Sequence, residues 1–193
     1  MKKYKLIPLL LAAVMAAAPL TGCSSDEESS SVSVSMAPNG RQEGLADNEI
    51  KANVAEDTEC NDTTFKLNSV IDSGMADENG NKYIYLDAVI GNSTDKEYDL
   101  NILNNFYLLL PDNSEAHFDV RTQLYGQKNI NNYIVNPFTV PASGEISGIF
   151  GGFVIAPNVE NFTVCFFPTQ EDMRNKSNVI KVDVTAENIT KLS

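Results

Sequence analysis

The chain has 193 residues, with 14 Lys and Arg against 26 Asp and Glu, and its formal net charge is −12. Three of the basic residues are lysines within residues 1–22; without that segment the balance is 11 bases (14 − 3) against 26 acids, a net charge of −15. Such a charge excludes attraction to nucleic-acid phosphates and to an anionic membrane surface, and the length suits one domain plus a tail.

Residues 1–22 have the pattern of a lipoprotein signal peptide. Early lysines precede the apolar run LIPLLLAAVMAAA, which is shorter than the roughly 20 apolar residues that a membrane-spanning helix needs. The run ends at Leu20-Thr21-Gly22-Cys23, which resembles the lipobox of bacterial lipoproteins. The alternative interpretation is an ordinary signal peptide with a chance cysteine at its end.

The lipobox resemblance implies a membrane anchor at Cys23. In that family the peptide is cut before the cysteine, its sulfur takes a diacylglycerol, and the new N-terminus is usually acylated too, for instance by palmitate. Cysteine suits this position because its thiolate is a nucleophile that can form the thioether. Two or more acyl chains give stable attachment, whereas one holds a protein only marginally. We therefore expect a secreted protein, lipid-anchored at the outer face of a bacterial cell membrane.

Residues 23–60 are predicted to be a disordered tether. They are rich in Ser, Asn and acidic side chains and poor in apolar ones, so they cannot offset the entropy lost on ordering. The tether is either a spacer that lifts the domain from the membrane or a passive leader of no selected length.

Residues 61–193 carry the signals of one all-β domain. In KYIYLDAVI, Ile84, Leu86, Ala88 and Ile90 alternate with Tyr83, Tyr85 and Asp87, which predicts a strand with the aliphatic set facing a core. Turn formers separate the strands, and we expect no amphipathic helix of ten or more residues between them. This pattern predicts an immunoglobulin-like antiparallel β-sandwich. The segments with strand character are 65–71, 82–90, 98–103, 106–110, 116–120, 132–140, 145–155 (interrupted by three glycines), 161–167 and 178–184.

The order of three short motifs resembles a family of immunoglobulin-like bacterial lipoproteins. The motifs are a strand ending in a turn at 89–93, a Pro-x-x-Gly-Glu hairpin at 141–145 and Phe-x-Ile-x-Pro at 153–157. The family is a domain of unknown function, akin to a mycobacterial immunoprotective extracellular antigen and sometimes misnamed after telomeric repeat-binding factor. The resemblance implies a fold and an extracytoplasmic address but no catalytic residues. The chain departs from it in the polar, Asn-rich connection 120–137.

Candidate chemistry in the chain is sparse. His117 is the single histidine, beside Glu115 and Asp119, and we interpret it as a surface residue rather than a general base. The loop DENGN, Asp77 to Asn81, offers oxygen ligands but lacks the closing acid of an EF-hand, so we interpret it as a hairpin with Asn79-Gly80 in a type I′ turn. We expect no enzyme activity, no metal and no cofactor.

Two cysteines remain beside the lipid-attachment residue. Cys60 and Cys165 could form a disulfide in an exported protein, or stay as two reduced thiols. If Phe162, Val164 and Phe166 face the core, Cys165 points outward, within reach of a crossing tether.

The long connection after residue 120 is the candidate binding site. Arg121, Tyr125, Lys128 and Tyr133 lie there, and such residue types on the rim of a sandwich are typical of interaction loops. An ordinary solvated loop is the alternative.

We therefore predict a non-catalytic binding module that contacts a cell-envelope component or another exported protein through residues 121–133. One alternative is an accessory subunit of a cell-envelope complex that packs on a partner through the sheet face bearing Tyr83 and Tyr85. A solute-binding protein is disfavoured, since such lipoproteins usually need two α/β lobes.

Overall fold

The computed structural model describes residues 48–168 and 178–192. The predicted signal peptide, the lipid-attachment residue Cys23 and the tether up to residue 47 lie outside these ranges, and the predictions for them remain predictions. Within the described ranges, no helix is both long and apolar enough to cross a membrane.

Strands dominate the described part of the chain, with two short helices and one 3-10 turn. The strands are β1 (Asn48–Ala52), β2 (Thr58–Cys60), β3 (Thr63–Ala76), β4 (Lys82–Asn92), β5 (Tyr98–Leu100), β6 (Phe106–Leu109), β7 (Glu115–Ala116), β8 (Phe138–Val140), β9 (Gly144–Ile155), β10 (Phe162–Phe166), β11 (Asn178–Val184) and β12 (Ile189–Lys191). The helices are α1 (Ile102–Asn105) and α2 (Val120–Asn129), and the 3-10 turn is Ala186–Asn188.

The strands form two main sheets. The first has the order β1-β11-β10-β6-β7, the second has the order β12-β3-β4-β9 with β2 also paired to β3, and β5 and β8 form a small separate pair. Among the described residues the pairings are antiparallel except for two parallel ones at sheet edges, β1 with β11 and β12 with β3. The architecture confirms the predicted all-β, immunoglobulin-like antiparallel β-sandwich.

One hydrophobic core lies between the two sheets. Phe65 of the second sheet meets Phe106 and Phe166 of the first, with ring centroids 6.0 and 4.6 Å away. The alternation in β4 is confirmed on its core side, because every aliphatic residue predicted to face inward is buried. These residues are Ile84, Leu86, Ala88 and Ile90.

Residues 48–60, which were predicted to belong to the tether, contribute two strands to the sandwich. β1 pairs with β11 in the register Ile50 to Ile180, and the Glu49 carboxylate forms an ion pair with the Lys181 ammonium. Ile50 also packs against the main core. The strand was not recognised from its sequence, NEIKA. Its two apolar residues are too few to show the alternation of apolar and polar side chains that indicates a strand. The predicted domain boundary at residue 61 is therefore wrong, and the fold includes residues from 48 onward.

Candidate functional site

The connection after β7 contains a helix, α2, rather than the irregular loop that the sequence suggested. Asp119 caps its N-terminus, since the Asp119 carboxylate accepts a hydrogen bond from the Arg121 N–H at 2.8 Å. The Arg121 guanidinium closes on the same carboxylate, with Nη2 2.7 Å from Oδ2. These hydrogen bonds from Arg121 are the main reason that the pKa of Asp119 lies below its usual value. The sequence predicted no amphipathic helix of ten or more residues between the strands, and α2 is a helix of ten residues without an aliphatic stripe.

The inner side of α2 lies on the outer face of the second sheet and buries Tyr85. The Tyr85 hydroxyl donates a hydrogen bond to the main-chain carbonyl of Thr122 at 2.7 Å. The Tyr125 ring lies 6.3 Å from the ring of Tyr83 and 6.4 Å from that of Tyr85. Tyr85 is 0% exposed, and burial raises its pKa. The prediction that Tyr83 and Tyr85 form an open face for a partner subunit was therefore wrong: the chain covers this face with its own helix.

Gly152 and Gly126 allow α2 to pack closely against its neighbours. A Cβ on Gly152 of β9 would lie 2.8 Å from the Thr122 Cβ and 2.9 Å from Cε1 of Tyr85. A Cβ on Gly126 of α2 would lie 2.5 Å from the Tyr133 ring. A larger residue at position 152 would push the helix away from the sheet, and one at position 126 would clash with Tyr133. Gly152 is one of the three glycines that interrupt the β9 pattern in the sequence, and it marks the place where α2 packs.

Both ends of the α2 segment are fastened to the edge of β9. The Asp119 N–H donates to the Gly152 carbonyl at 3.0 Å, and the Ile134 N–H donates to the Ile149 carbonyl at 2.8 Å. Ile149 in turn donates its N–H to the carbonyl of Asn132 at 3.0 Å. These bonds occupy this stretch of the sheet edge, which would otherwise be open to another strand. A partner that approaches here meets the side chains of the helix rather than free backbone.

The outer side of α2 is exposed and carries two apolar residues. Val120 is 62% exposed and Leu124 is 66% exposed, more than any other large hydrophobic residue among those described. Their spacing of four places them on one side of the helix, followed one turn later by the exposed Lys128. We call Val120, Arg121, Leu124 and Lys128 the α2 outer face. Sequence reasoning missed both apolar residues because it treated the segment as a loop.

Of the four residues predicted to bind, Arg121, Tyr125 and Lys128 belong to α2, and Tyr133 lies in the connection that follows it. Arg121 and Lys128 are exposed on the α2 outer face. Tyr125 and Tyr133 are partly buried and hold the segment in place. The Tyr133 hydroxyl donates to the carbonyl of Gly151, and burial raises the pKa of Tyr133. The structure therefore assigns the tyrosines to packing and leaves the two basic residues accessible.

A cleft of about 600 Å³ adjoins the start of α2. Phe118 and Val120 line one part of it, and Glu115 and His117 another. His117 Nε2 lies 3.1 Å from a carboxylate oxygen of Glu115, and each side chain is 14% exposed. The interpretation of His117 as a surface residue was therefore wrong, since it is largely buried beside Glu115.

The loop at 77–81 is a turn whose own N–H groups engage its acid. The Asp77 carboxylate accepts hydrogen bonds from the N–H groups of Asn79 and Asn81 at 2.8 and 2.9 Å, and those from Asn81 are the main cause of its lowered pKa. The Gly80 N–H donates to the Asp77 carbonyl at 3.0 Å, and the left-handed residue is Gly80, with φ of 81°. Asn79 lacks the positive φ that a type I′ turn requires, so the turn is confirmed but its predicted type is wrong. In residues 48–168 and 178–192, no group of three or more His, Cys, Asp or Glu could hold a metal ion.

The disulfide between Cys60 and Cys165 is not formed, since the Cys60 thiol is free. Cys60 packs against the core between the sheets, whereas Cys165 belongs to a second cluster with Tyr107, Phe167 and Val179. As predicted, Phe162, Val164 and Phe166 face the core and Cys165 points the other way. The two sulfurs therefore lie on different sides of the first sheet.

No family model matches the chain, and no curated protein matches it. Solved structures with a similar fold include the YjhA protein of Bacillus subtilis, at 12% identity and a TM-score of 0.48 over 68% of this chain and 98% of that chain. YcdA of B. subtilis, which is named as a candidate lipoprotein, matches at 12% identity and a TM-score of 0.48 over 68% of this chain. This chain spans only 38% of the length of YcdA. An uncharacterised β-sandwich protein of Clostridium difficile matches at 11% identity and a TM-score of 0.41, over 70% of this chain and 94% of that chain. At these values the likeness carries no argument about family, anchoring or function, and the resemblance to the lipoprotein family stays a prediction.

Proposed function

We propose that this protein is a lipid-anchored, extracytoplasmic and non-catalytic binding module of a bacterial cell envelope. The observation that carries the anchor is the order of a basic segment, a short apolar run and Leu20-Thr21-Gly22-Cys23. The mature chain has a net charge of −15 (11 bases against 26 acids), so an anionic bilayer would repel it and the lipid must hold it in place.

The binding role is supported by the position of the α2 outer face relative to the entry of the chain. The described part of the chain begins with β1, at one edge of the first sheet, whereas β7 forms the opposite edge. α2 follows directly after β7 and lies against β9, the edge strand of the second sheet. The helix therefore lies near the edge of the sandwich opposite β1, the first described strand.

The non-catalytic part of the proposal is supported by how the candidate acids are used. The Asp119 carboxylate caps α2 and binds Arg121, and the Asp77 carboxylate holds its own turn together. Carboxylates that are engaged in this way are poorly suited to act as a general base for a substrate.

The test of the anchor is fractionation of cells that produce the full chain or its Cys23→Ser variant. The wild-type protein should sediment with membranes and enter the detergent phase, and the variant should be lost from both fractions. Substitution of the half-buried Cys60 by serine is the matched control and should leave the wild-type protein's membrane location unchanged. Equal membrane retention of the Cys23→Ser variant would refute the anchor.

A further inference from the structure

The turn at 77–81 contains an Asn-Gly pair, the dipeptide in which asparagine most readily loses its side-chain amide. Asn79 and Gly80 are both exposed, and Gly80 has no Cβ to shield its nitrogen. In this reaction the Gly80 nitrogen bonds to Cγ of Asn79, the Cγ–Nδ2 bond breaks, and ammonia leaves with the proton of the N–H group. Water then opens the cyclic imide at either carbonyl, which leaves aspartate or isoaspartate at position 79.

The hydrogen bonds of the turn oppose this reaction. The Gly80 N–H, which must give up its proton, donates to the Asp77 carbonyl at 3.0 Å. The Asp77 carboxylate accepts from the N–H groups of Asn79 and Asn81 at 2.8 and 2.9 Å, and the Asp77 N–H donates to the Asn81 carbonyl at 2.9 Å. The Gly80 nitrogen is therefore free to attack Cγ of Asn79 only after the turn has opened locally.

Asp77 takes part in each of these hydrogen bonds. Its negative charge also disfavours the loss of a proton from a peptide N–H close by. We propose that Asn79 is a latent deamidation site and that Asp77 keeps it latent by holding the turn closed. Asp77 is thus a positioning residue, which acts through the turn rather than on the reacting carbon. The inference goes beyond the proposed function and does not depend on the lipid anchor.

Deamidation would change the turn in two ways. Aspartate at position 79 would add a third carboxylate directly after Asp77 and Glu78. Isoaspartate would lengthen the main chain by one carbon before Gly80 and displace the Gly80 N–H from the Asp77 carbonyl. The turn joins β3 to β4 beside their pair Ala76 and Lys82, so we expect this end of the two strands to lose its register.

The test follows the conversion of Asn79 over time in the purified full chain, incubated at mildly alkaline pH. Mass spectrometry of digested samples resolves asparagine, aspartate and isoaspartate at position 79, and the other Asn-Gly pair, Asn39-Gly40, falls in a different tryptic peptide. Asn79 in the folded chain should convert at least about tenfold more slowly than in the chain unfolded in guanidinium chloride, since hydrogen bonds to a charged group must break first. Equal rates in the two states, or no conversion in the unfolded chain, would overturn the proposal.

Variants of Asp77 test its role in the folded chain. Asp77→Ala should raise the rate at Asn79 at least about tenfold, because it removes both hydrogen bonds to the carboxylate. Asp77→Asn keeps an acceptor oxygen and should raise the rate less. Glu78→Ala is the matched control, because the exposed Glu78 side chain makes no hydrogen bond or ion pair among the described residues, and it should leave the rate unchanged. A wild-type rate in Asp77→Ala would refute the role of Asp77.

A core variant separates opening of the turn from unfolding of the whole domain. Val164→Ala leaves a cavity at a fully buried position in β10, in the other sheet, and lowers the stability of the fold. Its rate at Asn79 should stay within about twofold of the wild-type rate, because the turn opens locally. If Val164→Ala accelerates the conversion as much as Asp77→Ala does, the protection comes from the fold as a whole and the proposal is wrong.

Discussion

The hydroxyl of Tyr85 donates a hydrogen bond of 2.7 Å to the main-chain carbonyl of Thr122, and this bond joins the second sheet to the helix that covers it. Tyr85 is fully buried, so the contact is shielded from water. The bond fixes the position of α2 and, through it, the direction in which the α2 outer face points.

Tyr85→Phe should destabilise the fold and loosen α2. The substitution removes the donor and leaves a buried carbonyl with one hydrogen bond fewer, at a cost of about 1–2 kcal/mol in the free energy of unfolding. Urea denaturation of the mature chain with Cys23→Ser measures this cost. Tyr83→Phe is the matched control, because the Tyr83 hydroxyl has no hydrogen-bond partner among the described residues. Equal midpoints for Tyr85→Phe and the parent chain would contradict the structural role of the bond.

Gly152→Ala should displace α2 without disturbing the core between the sheets. The added Cβ would lie 2.8 Å from the Thr122 Cβ, and relief of that clash should cost about 1–3 kcal/mol. Hydrogen exchange should show faster exchange of the amides in 120–134 and unchanged protection of β10 and β11. Gly91→Ala in β4 is the control, since its Cβ would meet its nearest neighbour at 3.4 Å. Unchanged exchange in 120–134 would show that the close approach at Gly152 is not needed.

The α2 segment escaped the sequence analysis for a physical reason. Its buried residues are Thr122 and Gly126, and the aromatic Tyr125 is only partly buried. The helix therefore has no aliphatic stripe that hydrophobic periodicity could detect. The alternation in β4 identified its core side correctly but gave no sign that Tyr85 on the other side is covered. Alternation reports which residues share a face, and it does not show whether the outward face carries another layer.

Other parts of the fold were accessible from the sequence. Ile180, Val182 and Val184 alternate with charged residues, and the structure buries all three in β11. β1 was missed because its five residues are ordered mainly by pairing with β11, a contact far away along the chain. The sequence analysis identified the region of the candidate site and its two basic residues, Arg121 and Lys128. It did not predict that Val120 and Leu124 are exposed, because their exposure depends on how α2 packs on the sheet.

Asp119 should make the free energy of unfolding depend on pH in the acid range. Its pKa is lowered in the folded state by Arg121, so its contribution is present above the usual carboxyl pKa of about 4 and is lost as the pH falls through the lowered value. At neutral pH, Asp119→Ala should cost about 1 kcal/mol as a lost helix cap. Denaturation at neutral and acid pH should show the gap between the two proteins narrowing on acidification. A gap that stays constant or widens would contradict the role of the ionised carboxylate.

Two tyrosines should resist ionisation at alkaline pH. Burial raises the pKa of both Tyr85 and Tyr133, so their folded-state stabilisation is complete below the usual tyrosine pKa of about 10 and is lost as the pH rises further. A titration followed by tyrosinate absorbance should show a late component that appears together with unfolding. Tyr133→Phe should reduce the amplitude of that component. If Tyr85 and Tyr133 ionised reversibly near pH 10 without unfolding, the packing of α2 described above would be wrong.

The most direct test of the central claim is mass spectrometry of the N-terminal peptide of the protein purified from bacterial membranes. The account predicts a mature chain that begins at Cys23 and carries a diacylglycerol on its sulfur. Treatment that cleaves ester-linked fatty acids should lower the peptide mass by the corresponding acyl chains. A chain that still begins at Met1, or one cut elsewhere and bearing no lipid, would contradict the account.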